Sequence, residues 1–159
     1  MTGVFRESSR PVIHIQHQDD SDDFKHASHG WRILPDISTE ITDHYVSKTC
    51  CDAFIGTDLS KILKKCNATM LFIVGCATDF RVDSTIKGAI SHGFDIVIPS
   101  DGHTTSDRPH FRAKTLIDHF NWNWGNLITG EVQVTVTDTL SSAKLNNPSQ
   151  WTQKKPLAI

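Results

Sequence analysis

Seven consecutive residues without a charge, Met70–Leu71–Phe72–Ile73–Val74–Gly75–Cys76, limit what this chain can fold into more than any other stretch. A strand with one wet face alternates apolar and polar residues. An unbroken apolar run of this length fits a strand covered on both faces, the situation in a parallel sheet. Parallel strands need long, usually helical, crossovers, and one follows at once. After the turn Ala77–Thr78–Asp79, which can cap a helix, Phe80, Val82, Ile86, Ala89 and Ile90 recur at helical spacing until Gly93 stops them. Residues 94–102, FDIVIPSDG, then read as a second buried strand running into a loop.

The rest of the chain repeats this alternation. Val12–Gln16, after Pro11, reads as a strand, and a polar, acidic loop follows it. A short extended piece around Tyr45–Lys48 precedes Gly56–Thr57–Asp58, where Thr57 or Asp58 can cap a helix carrying Leu59, Ile62 and Leu63 and ending near Asn67. Asp107 with Pro109 is expected to open a helix bearing Phe111, Leu116, Ile117 and Phe120, and Glu131–Asp138 alternates as a final strand. The pattern is that of an α/β domain over residues 1–140 with a mostly parallel sheet and right-handed crossovers. Residues 141–159 are expected to form a polar, mobile C-terminal tail that includes Trp151. In such a sheet the ligand lies beyond the C-terminal ends of the strands, so the places to look are after Gln16, at Lys48, after Gly75 and after Ser100.

Charge and composition narrow the partner. Sixteen basic residues against eighteen acidic ones give a net charge of -2, and a short pair such as Lys154–Lys155 is no footprint for nucleic acid or anionic lipid. No apolar run approaches the roughly 20 residues of a spanning helix. No Gly-rich phosphate loop follows a strand, which argues against a nucleotide site. Cys50, Cys51, Cys66 and Cys76 are irregularly spaced and read as reduced thiols. The opening MTGVFRESSRP has no signal-peptide core, so a cytoplasmic protein with a small-molecule substrate is expected.

Three segments in this order carry a resemblance: Gly75–Val82, the stretch SKTCCDAFIGTDL from Ser47 to Leu59, and GHTTSD from Gly102 to Asp107. Over about Pro11 to Asp138 the chain resembles the isochorismatase-like hydrolase superfamily, also called the cysteine hydrolases. The resemblance implies a three-layer α-β-α, Rossmann-like fold and hydrolysis of a C–N amide or a vinyl ether in a small molecule. It implies no cofactor, and a homo-oligomer. Lys48 matches the lysine of the family's Asp–Lys–Cys triad. The Cys76–Ala77 bond matches a cis non-proline peptide, with backbone donors at Cys76, Ala77 and Phe80, within the stretch to Arg81, aimed at an oxyanion. Phe54 accompanies the lysine motif as a pocket candidate.

Two departures accompany these matches. Arg81 occupies the position where amidase-type members carry the nucleophilic cysteine, and a permanently charged guanidinium cannot replace a thiolate. Isochorismatase-type members hydrolyse a vinyl ether without that cysteine. Cys76 reads as a buried, inert thiol and no substitute. The family's first strand, whose end carries the catalytic aspartate, and the helix after it are expected to be missing. That strand lies between those matching Val12–Gln16 and Met70–Cys76, so its absence exposes unpaired N–H and C=O groups on two edges. Asp19, Asp20, Asp22 and Asp23 are loop carboxylates, none of them a replacement base. The alternative to an enzyme is an inactive scaffold or oligomer partner that keeps the fold.

Histidines and tryptophans add candidates for the pocket, not for a metal. His14 and His17 point to opposite faces of one strand, His26 and His29 lie in the loop, and the family's Asp-x-His metal pattern is broken at His17–Gln18–Asp19. No metal site is expected. His103 can line the pocket mouth or cap its loop. Trp31, Trp122 and Trp124 suit a pocket wall or a subunit interface, with core packing the better reading of Trp122.

Overall fold

The structure, a computed structural model, describes residues 2–145. In chain order the elements are α1 (Thr2–Glu7), β1 (Ile13–His17), β2 (His44–Lys48), α2 (Leu59–Lys65), β3 (Met70–Phe72), β4 (Gly75–Cys76), a π-helical turn (Thr78–Val82), α3 (Asp83–Ser91), β5 (Asp95–Pro99), β6 (His103–Thr104), α4 (Ala113–Gly125), β7 (Val134–Thr137) and α5 (Thr139–Leu145). The strand pairs β1–β2, β3–β5, β4–β6 and β5–β7 are all parallel, as the alternation of strands and helices requires. Ile86, Ala89, Ile96, Ile98 and Trp124 form the centre of the core, with Val46, Leu59 and Leu63 joining from β2 and α2.

The register shows where the sheet is interrupted. Gln18 N–H donates to Lys48 O and His44 N–H to Val12 O, so the even residues of β1 turn both backbone groups toward β2. Ile13, Ile15 and His17 turn theirs to the opposite edge. On β3, Ile73 N–H donates to Val97 O and Thr69 O accepts from Asp95 N–H, which leaves Met70, Phe72 and Val74 facing outward. Among the described residues no strand pairs with either edge: β1–β2 and β3–β5–β7 are separate sheets.

That interruption corrects the expected strand over Met70–Cys76. It breaks after Phe72, Val74 is 47% exposed and Cys76 is exposed, so this thiol is not buried. A long buried strand is held by neighbours on both edges, and among the described residues β3 pairs on one edge only, with β5. Part of the cover comes from α1, a helix that no periodicity announces: Phe5 meets Phe72 edge-on at 4.8 Å, and Arg6 clamps Asp43 from Nε (3.1 Å) and Nη2 (2.5 Å).

Other corrections are local. Asp79 caps nothing; it accepts from Thr105 Oγ1 and Arg108 instead. The helix expected to open at Asp107–Pro109 begins at Ala113, whose N–H donates to Asp107 Oδ1 across the intervening loop (2.8 Å). Trp122 is 65% exposed while Trp124 is fully buried, because residues two apart on a helix point to nearly opposite sides. The segment expected as a mobile tail begins within α5, where Ser142 is buried; residues 146–159, with Lys154–Lys155 and Trp151, lie outside the described residues.

Candidate active site

Lys48 ends β2 with its side chain buried. The chain turns sharply after it, and the turn supplies acceptors for the ammonium: Nζ donates to Cys50 O (2.6 Å) and Cys51 O (3.0 Å). These bonds offset much of the cost of burying a cation. Burial lowers the lysine pKa, and the Arg81 charge lowers it further.

His17, at the end of β1, is paired in register with Lys48. Registered neighbours on parallel strands project to the same face, so the imidazole and the ammonium share one end of the sheet. Its Nε2 lies 3.4 Å from Asp19 Oδ2, and its Nδ1 is buried without a partner among the described residues. Burial, then repulsion from Arg81 and Lys48, pushes the His17 pKa down.

Arg81 comes from the π-helical turn after β4. Its guanidinium carbon lies 5.7 Å from the centroid of the Phe24 ring, which in turn meets the His17 ring at 5.8 Å. Arg81 Nε is buried and unpartnered among the described residues. The loop after β1 therefore folds Phe24 against both His17 and Arg81. The Cys76–Ala77 peptide is cis, as the resemblance implied.

The expected backbone donors divide. Phe80 N–H donates to Ala77 O (3.1 Å), closing the turn, so it is not free to receive an oxyanion. The Ala77 amide has no backbone partner among the described residues. Arg108 binds Asp79 from Nε (2.7 Å) and Nη2 (3.0 Å), lies over Phe80 at 4.7 Å, and ties the turn to the loop after β6. The guanidinium holds the Asp79 carboxyl down at about 2.

The pocket candidates also divide. Phe54 is buried and stacks on His92 (4.3 Å) and Phe94 (6.1 Å), so it is a core residue. His103 is buried too. Its Nε2 lies 2.9 Å from Asn121 Oδ1, its Nδ1 lies 2.9 Å from Thr78 Oγ1, and its ring meets Trp124 edge-on. With both nitrogens engaged it braces the π-helical turn from below and lines no pocket mouth. Trp31 is half-buried in the loop after β1, its ring 4.4 Å from His26 and its carbonyl accepting from Gln16 Nε2. His14, on the other face of β1, bonds Asp43 at 2.8 Å. Among the described residues no three His, Cys, Asp or Glu side chains gather as a metal site. An open hollow of about 660 Å³ between β2 and α2, bordered by Tyr45, Thr57 and Lys61, includes none of the cluster around Lys48.

The sequence profile of the isochorismatase domain matches residues 3–132. A streptothricin hydrolase of Streptomyces noursei is 30% identical over 106 residues, covering 65% of this chain and 38% of that protein. The uncharacterized isochorismatase family protein YrdC of Bacillus subtilis is 31% identical over 100 residues, covering 62% of this chain and 54% of its own. The chain thus spans about two-fifths to a half of the length of these curated relatives. A crystal structure of an isochorismatase family protein superposes with a TM-score of 0.77 at 28% identity, covering 86% of this chain and 78% of that one. No described helix is long and apolar enough to cross a membrane.

Proposed function

The chain belongs to the isochorismatase family, and from that membership we infer a hydrolase site for a small polar molecule. The bond cleaved is a C–N amide or a vinyl ether. Lys48 carries this reading: its ammonium is held at the end of β2 by two carbonyls and feels the charge of Arg81. In that role Lys48 balances charge as the bond breaks. The Ala77 amide serves as oxyanion donor.

Arg81 closes the covalent amidase route, since a guanidinium forms no acyl intermediate. What remains is hydrolysis without a covalent intermediate, in keeping with members of the family that act on vinyl ethers without that cysteine. The name of the streptothricin hydrolase supports hydrolysis as the reaction type. The reading includes a cytoplasmic location, supported by four unpaired thiols, and a homo-oligomer, for which exposed Trp122, Ile128 and Leu140 offer apolar surface.

The test is turnover of a vinyl ether and of a primary amide by the chain and by Lys48→Met, with mass spectrometry of the quenched protein. Turnover without an acyl adduct, lost on Lys48→Met, is the expected result. A trapped acyl adduct, or turnover indifferent to Lys48, overturns it. A second reading is favoured by Arg81 itself: an inactive scaffold or oligomer partner that keeps the fold, shown by a folded chain that turns over neither compound.

A further inference from the structure

We propose that the cluster at the ends of β1 and β2 is a receptor for a small organic carboxylate, with the Arg81 guanidinium as the group that grips it. The proposal names a ligand class for the same site as the hydrolase reading and rests on that site, but it requires binding and no turnover.

The argument starts from what Arg81 lacks. Three other guanidiniums of this chain hold carboxylates: Arg6 on Asp43, Arg108 on Asp79 and Arg112 on Asp107. Arg81 has no such partner among the described residues, and its Nε is buried with no acceptor. A buried charged donor without an acceptor is costly, and a carboxylate bound through two parallel N–H bonds is its best geometric complement.

The surroundings strengthen the same demand. Lys48 is satisfied by neutral carbonyls and brings no counter-charge. Asp19 is turned to the backbone N–H and side chain of Ser21 and reaches His17 at 3.4 Å. Two cations that feel each other's charge thus meet at one sheet end, and among the described residues no carboxylate is bonded to either. Such a site attracts a negative ligand and discriminates against its neutral isostere.

Phe24 decides between an organic and an inorganic anion. Its ring lies against both the guanidinium and His17 and is itself 38% exposed. It therefore presents an apolar wall beside the charge. A carboxylate attached to a hydrocarbon or aromatic body uses both features, whereas inorganic phosphate uses the charge alone.

The experiment is a titration of the full chain with sodium benzoate, benzamide and inorganic phosphate, read by the Arg81 Nε–H resonance and by calorimetry. Benzoate is expected to shift that resonance saturably and to bind at least tenfold more tightly than benzamide or phosphate. Arg81→Met should weaken benzoate at least tenfold, and Arg81→Lys, which keeps the charge but not the fork, should fall between. Equal affinity for benzoate and benzamide, phosphate binding as tight as benzoate, or full affinity in a folded Arg81→Met variant overturns the proposal. A chain that takes benzoate and hydrolyses nothing removes the hydrolase reading and leaves this one. Turnover indifferent to a carboxylate on the substrate does the reverse.

Discussion

Arg108 grips Asp79 with two nitrogens, Nε at 2.7 Å from Oδ2 and Nη2 at 3.0 Å from Oδ1. The pair fixes the turn that carries Arg81 to the loop after β6. Its contribution is pH-dependent with a definite sign. Asp79 titrates at about 2 in the fold, below the roughly 3.9 of a free aspartate. A depressed carboxylate stabilises the fold above its unfolded pKa, and the contribution is lost as pH falls through the folded value. Asp79→Asn should therefore cost about 1 kcal/mol at pH 7 for a partly exposed pair. The difference from the parent should shrink between about pH 4 and about pH 2, as measured by urea unfolding at each pH. A constant difference across that range would show that the pair does not titrate as described.

Trp124 and Trp122 lie two residues apart on α4 and should behave oppositely. Trp124 is fully buried, donates from Nε1 to Asp83 Oδ1 at 3.0 Å and packs on His103 and Phe120. Trp124→Ala should destabilise by about 3–5 kcal/mol, while Trp122→Ala should stay within about 0.5 kcal/mol. Chemical denaturation of both variants checks the pair.

The unpaired edges make a prediction residue by residue. His14, Gln16, Leu71 and Ile73 have amides directed at a neighbouring strand, whereas those of Ile13, Ile15, Met70 and Phe72 face the interruption between the two sheets. Amide exchange should alternate along both strands, slow at the first set and fast at the second. Uniform protection along β1 and β3 would mean that the edge is covered.

These cases show what the sequence could and could not carry. Periodicity located β1, β2, α2, α3, β5 and β7, because a buried face leaves its spacing in the chain. It failed for Met70–Cys76, since an apolar run records what a strand is suited to and not which neighbour is present. Lys48 was singled out only by the resemblance of its segment to the family's lysine motif, and the fold buries its side chain at the end of β2. The contacts of His17 and Arg81 with Phe24 were not readable, because a long irregular loop brings these residues together and leaves no period. His103 and Phe54 sit in segments that pointed to a pocket, but whether such a side chain faces water or core depends on α3 and α4, which pack over them.

The last prediction concerns the charge around His17. Burial is the first cause of its lowered pKa, the Arg81 charge the second and the Lys48 charge the third, with Asp19 opposing. Removing a cation should let the imidazolium form more readily, so Arg81→Met should raise the His17 pKa and Lys48→Met should raise it less. Asp19→Asn should lower it, since the nearby carboxylate favours the charged ring. All three follow from titrating the His17 ring protons by NMR in folded variants. If Arg81→Met leaves the His17 titration unmoved, the guanidinium does not share the end of the sheet with that imidazole, and the site must be built from Lys48 without it.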